Sequence, residues 1–156
     1  MSMNKKLLLV AHAPSSNTEK MVKAIIQGAT HIDIENVSFE YLTPLNVQPQ
    51  NIQSADAIIL FTTENLGYMS GLLKDMFDRC YYPCLEKTQG LPVAVVIRAG
   101  HDGTGTQRAL ETILTGLRWR WIQDPLICKG DWQENFIEQC EELGLVAAAS
   151  LDAGII

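Results

Sequence analysis

The 156-residue chain has no C-x-x-C pair, no G-x-G-x-x-G run and no Walker phosphate loop. The first absence removes the common dithiol and zinc frameworks: Cys80 and Cys84 stand four apart, as helix neighbours would, and no histidine lies near any of the four cysteines. The other two remove the nicotinamide fingerprint and the triphosphate cradle. Basic residues form no cluster, since Arg98, Arg108, Arg118 and Arg120 are scattered and the net charge is −6. Nucleic-acid binding needs grouped cations and is set aside. No apolar stretch reaches the roughly 18 residues of a membrane span. The short apolar run after MSMNKK is too brief for a signal peptide. A cytoplasmic location and reduced, partly buried thiols are therefore expected.

Hydrophobic residues make up 47% of the chain and charged ones 19%, enough to bury one core, so residues 1–156 are expected to form one domain. Short apolar runs alternate with longer amphipathic segments. Residues 7–11, 57–61 and 93–97 are continuous apolar stretches, the pattern of strands buried on both faces. Val37, Phe39 and Tyr41 alternate with polar residues, as on an edge strand. A further strand is expected within 119–128, and the connection over 43–54 is expected to hold a helical turn at most. Helical spacing marks 17–30, a segment running from Met69 to a stop at Pro83, the stripe Ala109, Leu110, Ile113, Leu114 and Leu117, and a last helix from Asp131 with Glu134 as capping partner. Five strands alternating with helices predict a doubly wound α/β sandwich with a parallel sheet.

In such folds ligands bind beyond the carboxyl ends of the strands, where the strand order reverses. Three loops fall there. The first, HAPSSNT, is polar, uncharged and rich in hydroxyls. Ser16 and Glu19 have capping-box spacing, so a helix should start near Asn17. Its free amides and dipole favour an anion without any cationic side chain; the plain reading is a helix cap and nothing more. The second, TTENLGYMSGLLKDMFDR, places Gly67, Tyr68 and Met69 before a helix. The third, RAGHDGTGTQRAL, has three glycines within six positions, which lets backbone amides approach a flat ligand, with His101 and Asp102 at its tip.

Together these loops resemble the flavodoxin-like flavoproteins, and more closely their NAD(P)H-dependent FMN or quinone reductase branch. Residues 13–19, APSSNTE, look like the flavodoxin phosphate loop, and GYMSGLLKD with Asp78 and Arg79 is similar to the reductase motif G-S-M-S-G-x-L-K-D-x-x-D-R. The likeness spans essentially the whole chain and implies a five-stranded, three-layer sandwich in strand order 2-1-3-4-5. It implies FMN as cofactor, with its phosphate held by Ser15, Ser16, Asn17, Thr18 and the backbone from Ala13. Thr62, Thr63, Glu64, Asn65, Leu66, Gly67, Tyr68 and Met69 would line the ribityl chain and one side of the ring. Ala99, Gly100, His101 and Gly103 would cover the pyrimidine edge through backbone amides, which can stabilise charge on a reduced flavin. Ser16 stands where a loop glycine is usual and Thr63 where many reductases carry proline. Glu64 brings a negative charge near the cofactor, and the third loop has no stacking aromatic.

The implied activity is electron transfer from NAD(P)H through FMN to a quinone, flavin or similar small acceptor, with His101 and Tyr68 at the acceptor side. A flavodoxin-type one-electron carrier is the alternative; carriers cage the ring between aromatics, and Tyr68 is the only aromatic in the two ring loops. A receiver domain shares the strand order, but Ala11-His12 and Thr62-Thr63 stand where its acidic residues belong. The reductases commonly build their site at a dimer interface, so a homodimer or tetramer is expected. The tail over 151–156 and the Trp119-Arg120-Trp121 strand are candidate contacts.

Overall fold

The computed structural model describes residues 4–156. Its strands are β1 (Lys5–Ala11), β2 (Val37–Leu42), β3 (Ala57–Asn65), β4 (Tyr68–Met69), β5 (Pro92–Ala99), β6 (Arg120–Trp121) and β7 (Leu126–Lys129). Its helices are α1 (Ser16–Ala29), α2 (Pro49–Gln53), α3 (Gly71–Cys84), α4 (Thr104–Leu117) and α5 (Asn135–Asp152). The sheet runs β2-β1-β3-β5-β6, with β7 also on β5 and β4 folded back on β3. All pairings are parallel except β3 with β4. The doubly wound order is thus the expected one, but the sheet has seven strands rather than five. The extra two arise because β3 continues into a hairpin and because the outer strand is broken between Trp121 and Leu126.

Alternation within each apolar run explains the two cores. Leu8, Val10, Ile58, Leu60, Val93, Val95 and Ile97 face α3 and α4. Leu7, Leu9, Ala57, Ile59, Phe61, Ala94 and Val96 face α1 and α5. A parallel strand covered by helices on both sides has no solvent face, so its sequence is apolar at every position. The edge strand β2 keeps the alternation only at its start, where Val37 and Phe39 pack on the α1/α5 core; Tyr41 is exposed and Leu42 packs on the α3/α4 core.

Several boundaries differ from the periodicity. Met69 belongs to β4, and α3 starts at Gly71 with Ser70 as N-cap; the Ser70 hydroxyl accepts from the Leu73 amide at 3.1 Å. Pro83 lies inside the last turn of α3 instead of ending it. The 43–54 connection holds a 3-10 turn, Pro44–Asn46, as well as α2. The last helix begins at Asn135, and no side chain caps it. The Glu134 carboxylate accepts instead from Trp132 Nε1 at 2.9 Å, so the Asp131–Glu134 box does not form. The tail is anchored within the chain: Leu151 is buried, the Asp152 carboxylate accepts from the amides of Glu35 and Asn36, and Ile156 packs on the α1/α5 core. Trp119 is likewise an internal residue, donating to the Thr88 hydroxyl at 2.8 Å. All four cysteines are free and buried, and burial pushes the Cys84 thiol up to about 11.

Candidate functional site

The C-terminal ends of β1, β3 and β5 are adjacent because the strands pair in register: Ala11 lies opposite Phe61, and Thr63 opposite Arg98. The three loops therefore share one rim of the sheet, joined at the start by the His12 amide on the Phe61 carbonyl at 3.2 Å.

In the first loop the capping residue is Ser15, one position before the expected Ser16. Its hydroxyl accepts from the Thr18 amide at 3.2 Å, and the Thr18 hydroxyl accepts from the Ser15 amide at 3.0 Å. Threonine at the third helical position does the reciprocal work expected of Glu19, which is exposed. The consequence is chemical. Two of the donors in the turn are satisfied internally, while the amides of Ser16 and Asn17 have no acceptor among the described residues. Ser16 is exposed and Asn17 half-buried, so these amides point into an uncharged, polar turn at a positive helix end. Beside it lies a cleft of about 400 Å³ that His12, Glu19, Tyr41, Leu45 and Leu72 help to line. Burial lowers the His12 imidazole from its usual value, and burial with the nearby Glu19 raises the Tyr41 phenol, so both are neutral around pH 7. Tyr41, Leu45 and Leu72 come from three separate elements, and no local sequence signal groups them. A larger cleft, about 420 Å³, lies between β2 and α2, away from the three loops.

The second loop is an ordered hairpin. Leu66 and Gly67 both have left-handed backbones, with φ of 55° and 79°, so β3 turns into β4 through two residues in the primed geometry that matches strand twist. Leu66 is fully exposed at the tip, a strained place for a leucine. Inside the turn Thr62 is fully buried; its hydroxyl accepts from the Ser70 amide at 3.0 Å and donates to the Thr63 carbonyl at 2.8 Å. Thr63 donates to Asn65 Oδ1 at 2.9 Å, Met69 is buried, and Tyr68 is 39% exposed beside Gly67. The side chains of Thr62 and Met69 thus serve the fold, whereas Thr63, Asn65 and Tyr68 remain at the surface. Replacing Thr62 by Val should leave the buried Ser70 amide without an acceptor and cost about 1–3 kcal/mol. Chemical denaturation of Thr62→Val checks this: an unchanged midpoint would deny the bond any role.

The third loop ends in Gly103, whose left-handed backbone caps α4; a Cβ added there would sit 2.7 Å from Ile127 Cγ2. Gly103 and Ala99 are buried; Gly100 and His101 are exposed. The N-terminus of α4 is already supplied with carboxylates. Asp102 Oδ1 accepts from the Thr104 amide at 3.1 Å and hydroxyl at 2.9 Å, bonds that hold its carboxyl below the usual range. Glu64, on the hairpin, accepts from the Thr106 amide at 3.3 Å and hydroxyl at 3.0 Å. The charge of Glu64, expected near the cofactor, is engaged with a helix end. Nothing near Thr106 in the sequence marks it as a site residue, since only the fold brings Glu64 to a residue 42 positions later.

The K-D-x-x-D-R stretch of α3 forms two pairs one helical turn apart, Lys74 with Asp78 and Arg79 with Asp75. Arg79 also donates to the carbonyls of Val47 at 2.7 Å and Pro44 at 2.8 Å. It fixes the turn that carries Leu45, one wall of the cleft beside α1.

The rim therefore offers, at α1, two consecutive bare amides in a hydroxyl-rich turn and, at α4, an end whose Thr104 and Thr106 amides are taken by carboxylates. A phosphate monoester fits the first by dipoles and hydroxyls alone, and the open space beside Gly67 and Gly100 leaves room for a flat group next to Tyr68. Comparison with known proteins gives the family and the fold. The model of the NADPH-dependent FMN reductase family matches residues 5–133. No curated protein sequence matches the chain significantly. Among solved structures, a flavodoxin from the domain Archaea is similar at TM-score 0.77 and 20% identity, over 94% of this chain and 98% of that one. The two-electron reduced flavodoxin of Megasphaera elsdenii follows at TM-score 0.74 and 17% identity, over 92% and 98%. A WrbA-like flavodoxin from Agrobacterium tumefaciens has TM-score 0.70 and 13% identity, over 97% and 98%. At these identities the structures speak for the fold; the family match, over most of the chain, speaks for more. The chain belongs to the NADPH-dependent FMN reductase family: it is a flavodoxin-like flavoprotein of that branch, and FMN is the cofactor that membership indicates.

Proposed function

We propose that this protein takes electrons from NAD(P)H and delivers them, by way of FMN, to a quinone, a free flavin or a similar small acceptor. The observation that carries the reading is the contrast between the two helix ends: α1 leaves two consecutive amides, those of Ser16 and Asn17, without an acceptor in a hydroxyl-lined turn where strand order reverses, whereas Asp102 and Glu64 take the Thr104 and Thr106 amides of α4. Ser16 and Asn17 would bind the phosphate through their amides, with the Ser15 and Thr18 hydroxyls and the Ala13 backbone holding the turn in shape. Thr63, Asn65 and Tyr68 would border the ribityl chain and ring, and Gly100 and His101 would present the opposite backbone edge. FMN supplies the hydride-accepting and electron-donating chemistry when bound. The chain's own work is to orient, to leave one face open and to place backbone dipoles where charge develops.

His101 is exposed at the loop tip and Tyr68 flanks the open space, so both would meet the acceptor rather than hold the cofactor. The family match supports a nicotinamide donor, and the openness of this edge supports a small acceptor. A dimer or tetramer belongs to the same reading, with Ile155 and Val146 as exposed apolar residues near the C-terminus available to it. No helix of the described residues is long and apolar enough to cross a membrane, and four free thiols suit a reducing compartment such as the cytoplasm.

The test is an FMN titration followed by anaerobic mixing with NADPH or NADH, read by flavin absorbance. Bound flavin should bleach with one of the two nicotinamides and recover on addition of a quinone. In His101→Ala the bleaching should be unaltered and the recovery slower. Bound flavin that ignores both nicotinamides would instead fit a one-electron carrier and end the reductase reading.

A further inference from the structure

Glu64 is the one acidic residue of the hairpin, and its carboxylate reaches out of the hairpin to α4. Thr106, which donates to it, is completely buried, so the bonds at 3.0 and 3.3 Å run from a shielded donor to a half-buried carboxylate. A second and independent contact lies beside the first. Gly105 approaches the hairpin tip so closely that a Cβ there would stand 2.0 Å from the Gly67 carbonyl oxygen. Backbone meets backbone at that point, and neither side can give by rotating a side chain. The β3–β4 pairing alone spans two residue pairs, Glu64 with Met69 and Asn65 with Tyr68. So short a two-stranded ribbon is marginal on its own, and its position must come from what it rests on.

We infer that Glu64 and Gly105 form a latch holding the β3–β4 hairpin against the start of α4, and that this latch sets the position of the hairpin edge carrying Asn65, Gly67 and Tyr68, which would border bound FMN. Glu64 is thus a positioning residue, acting through the hairpin rather than on the cofactor. The inference rests on the FMN reading for its second half only. The latch itself concerns the free protein.

The carboxylate matters here as an acceptor of two hydrogen bonds, so an amide oxygen should replace it. Glu64→Gln should bind FMN within about threefold of wild type, whereas Glu64→Ala should raise the dissociation constant about tenfold, the equivalent of one charge-assisted bond. Thr106→Val keeps the shape and removes the hydroxyl donor; combined with Glu64→Ala it should add little, because both remove the same contact. Gly105→Ala should displace the hairpin by steric contact with all charges intact, and so weaken FMN as Glu64→Ala does. FMN affinity is measured by quenching of flavin fluorescence, and the FMN-free proteins are compared by amide hydrogen exchange over 64–69.

Faster exchange confined to 64–69 in Glu64→Ala and Gly105→Ala, with weaker FMN binding and rescue in Glu64→Gln, is the expected result. Unchanged exchange at 64–69 in both variants overturns the latch. Faster exchange with FMN affinity equal to that of wild type overturns its role in flavin binding. Failure of the wild type itself to bind FMN ends the functional reading and that second half with it, while the exchange comparison still decides the latch.

Discussion

Asn17→Asp is expected to make the protein more stable and to weaken FMN binding about 100-fold, two effects of opposite sign from one isosteric change. Asn17 is the second residue of α1, where the amides of Ser16 and Asn17 lack acceptors among the described residues. A carboxylate in the first turn interacts favourably with the helix dipole, by about 0.3–1 kcal/mol at an exposed site. For a chain of this size that is a rise in melting temperature of about 1–3 °C. The same charge faces the position assigned to the FMN phosphate. Two unit charges about 4 Å apart repel by about 4 kcal/mol at the effective dielectric of a protein surface. Screening by salt takes part of this, and a loss of about 100-fold in affinity remains. Asn17→Ala serves as the control, since it keeps the backbone amide, removes only the polar side chain and adds no charge; its affinity should fall by no more than about tenfold. Isothermal titration with FMN, alongside thermal denaturation, separates the cases. Wild-type affinity in Asn17→Asp would place the phosphate somewhere other than the start of α1.

The second large effect is one of packing. Gly144→Ala, in the middle of α5, should destabilise the fold by about 3 kcal/mol, near the upper end for overpacking. Helix propensity alone argues the reverse, since alanine in place of glycine inside a helix is worth about 1 kcal/mol in its favour. The contact decides. A Cβ at 144 would stand 2.2 Å from the Ile25 carbonyl oxygen, and one at Gly28 would stand 2.0 Å from the Glu141 carbonyl oxygen. The two glycines bring the backbones of α1 and α5 together from opposite sides, and main chain cannot step aside as a flexible side chain can. An added methyl group must part the helices, which loosens Ile25, Ala29, Leu143 and Ala147 in the core between them. The melting temperature should fall by about 6–12 °C. The double variant Gly28→Ala/Gly144→Ala should cost less than the two single losses together, because the helices need part only once. A rise in melting temperature for Gly144→Ala would show that propensity outweighs the contact. Parted helices would also shift the start of α1, so a stability loss here should weaken FMN binding modestly; Asn17→Asp decouples the two.

How much of the molecule is legible in the sequence follows from the range over which each signal acts. The runs at 7–11, 57–61 and 93–97 identify strands buried on both faces because that condition is written into every residue of the run. With amphipathic helices between them, they determine a parallel doubly wound sheet and place the polar loops at its carboxyl rim. The hydroxyl-rich turn after Ala11 announces a helix start suited to an anion, and the stretch around Gly67 and Lys74 carries the family likeness. The sequence by itself therefore determined the architecture, the rim that carries the candidate site and the family.

The tertiary structure decided everything that depends on partners distant in the chain. Ser15, not Ser16, caps α1 because Thr18 is buried where its hydroxyl can turn back to the Ser15 amide. The second loop is a hairpin although its turn begins with Leu66, a residue no local rule places at positive φ; the contacts of Glu64 and Gly67 with α4 hold it there. The outer strand breaks after Trp121, and α5 begins at Asn135 without the Asp131 cap, because pairing with β5 and the Trp132–Glu134 bond override the local pattern. Gly28 and Gly144 look alike in sequence to any glycine tolerated in a helix, and only the approach of α1 to α5 shows why neither has a side chain. Periodicity and capping are read along the chain, within a turn or two; a carboxylate that crosses to another helix, or two backbones in contact, is settled only when the elements pack.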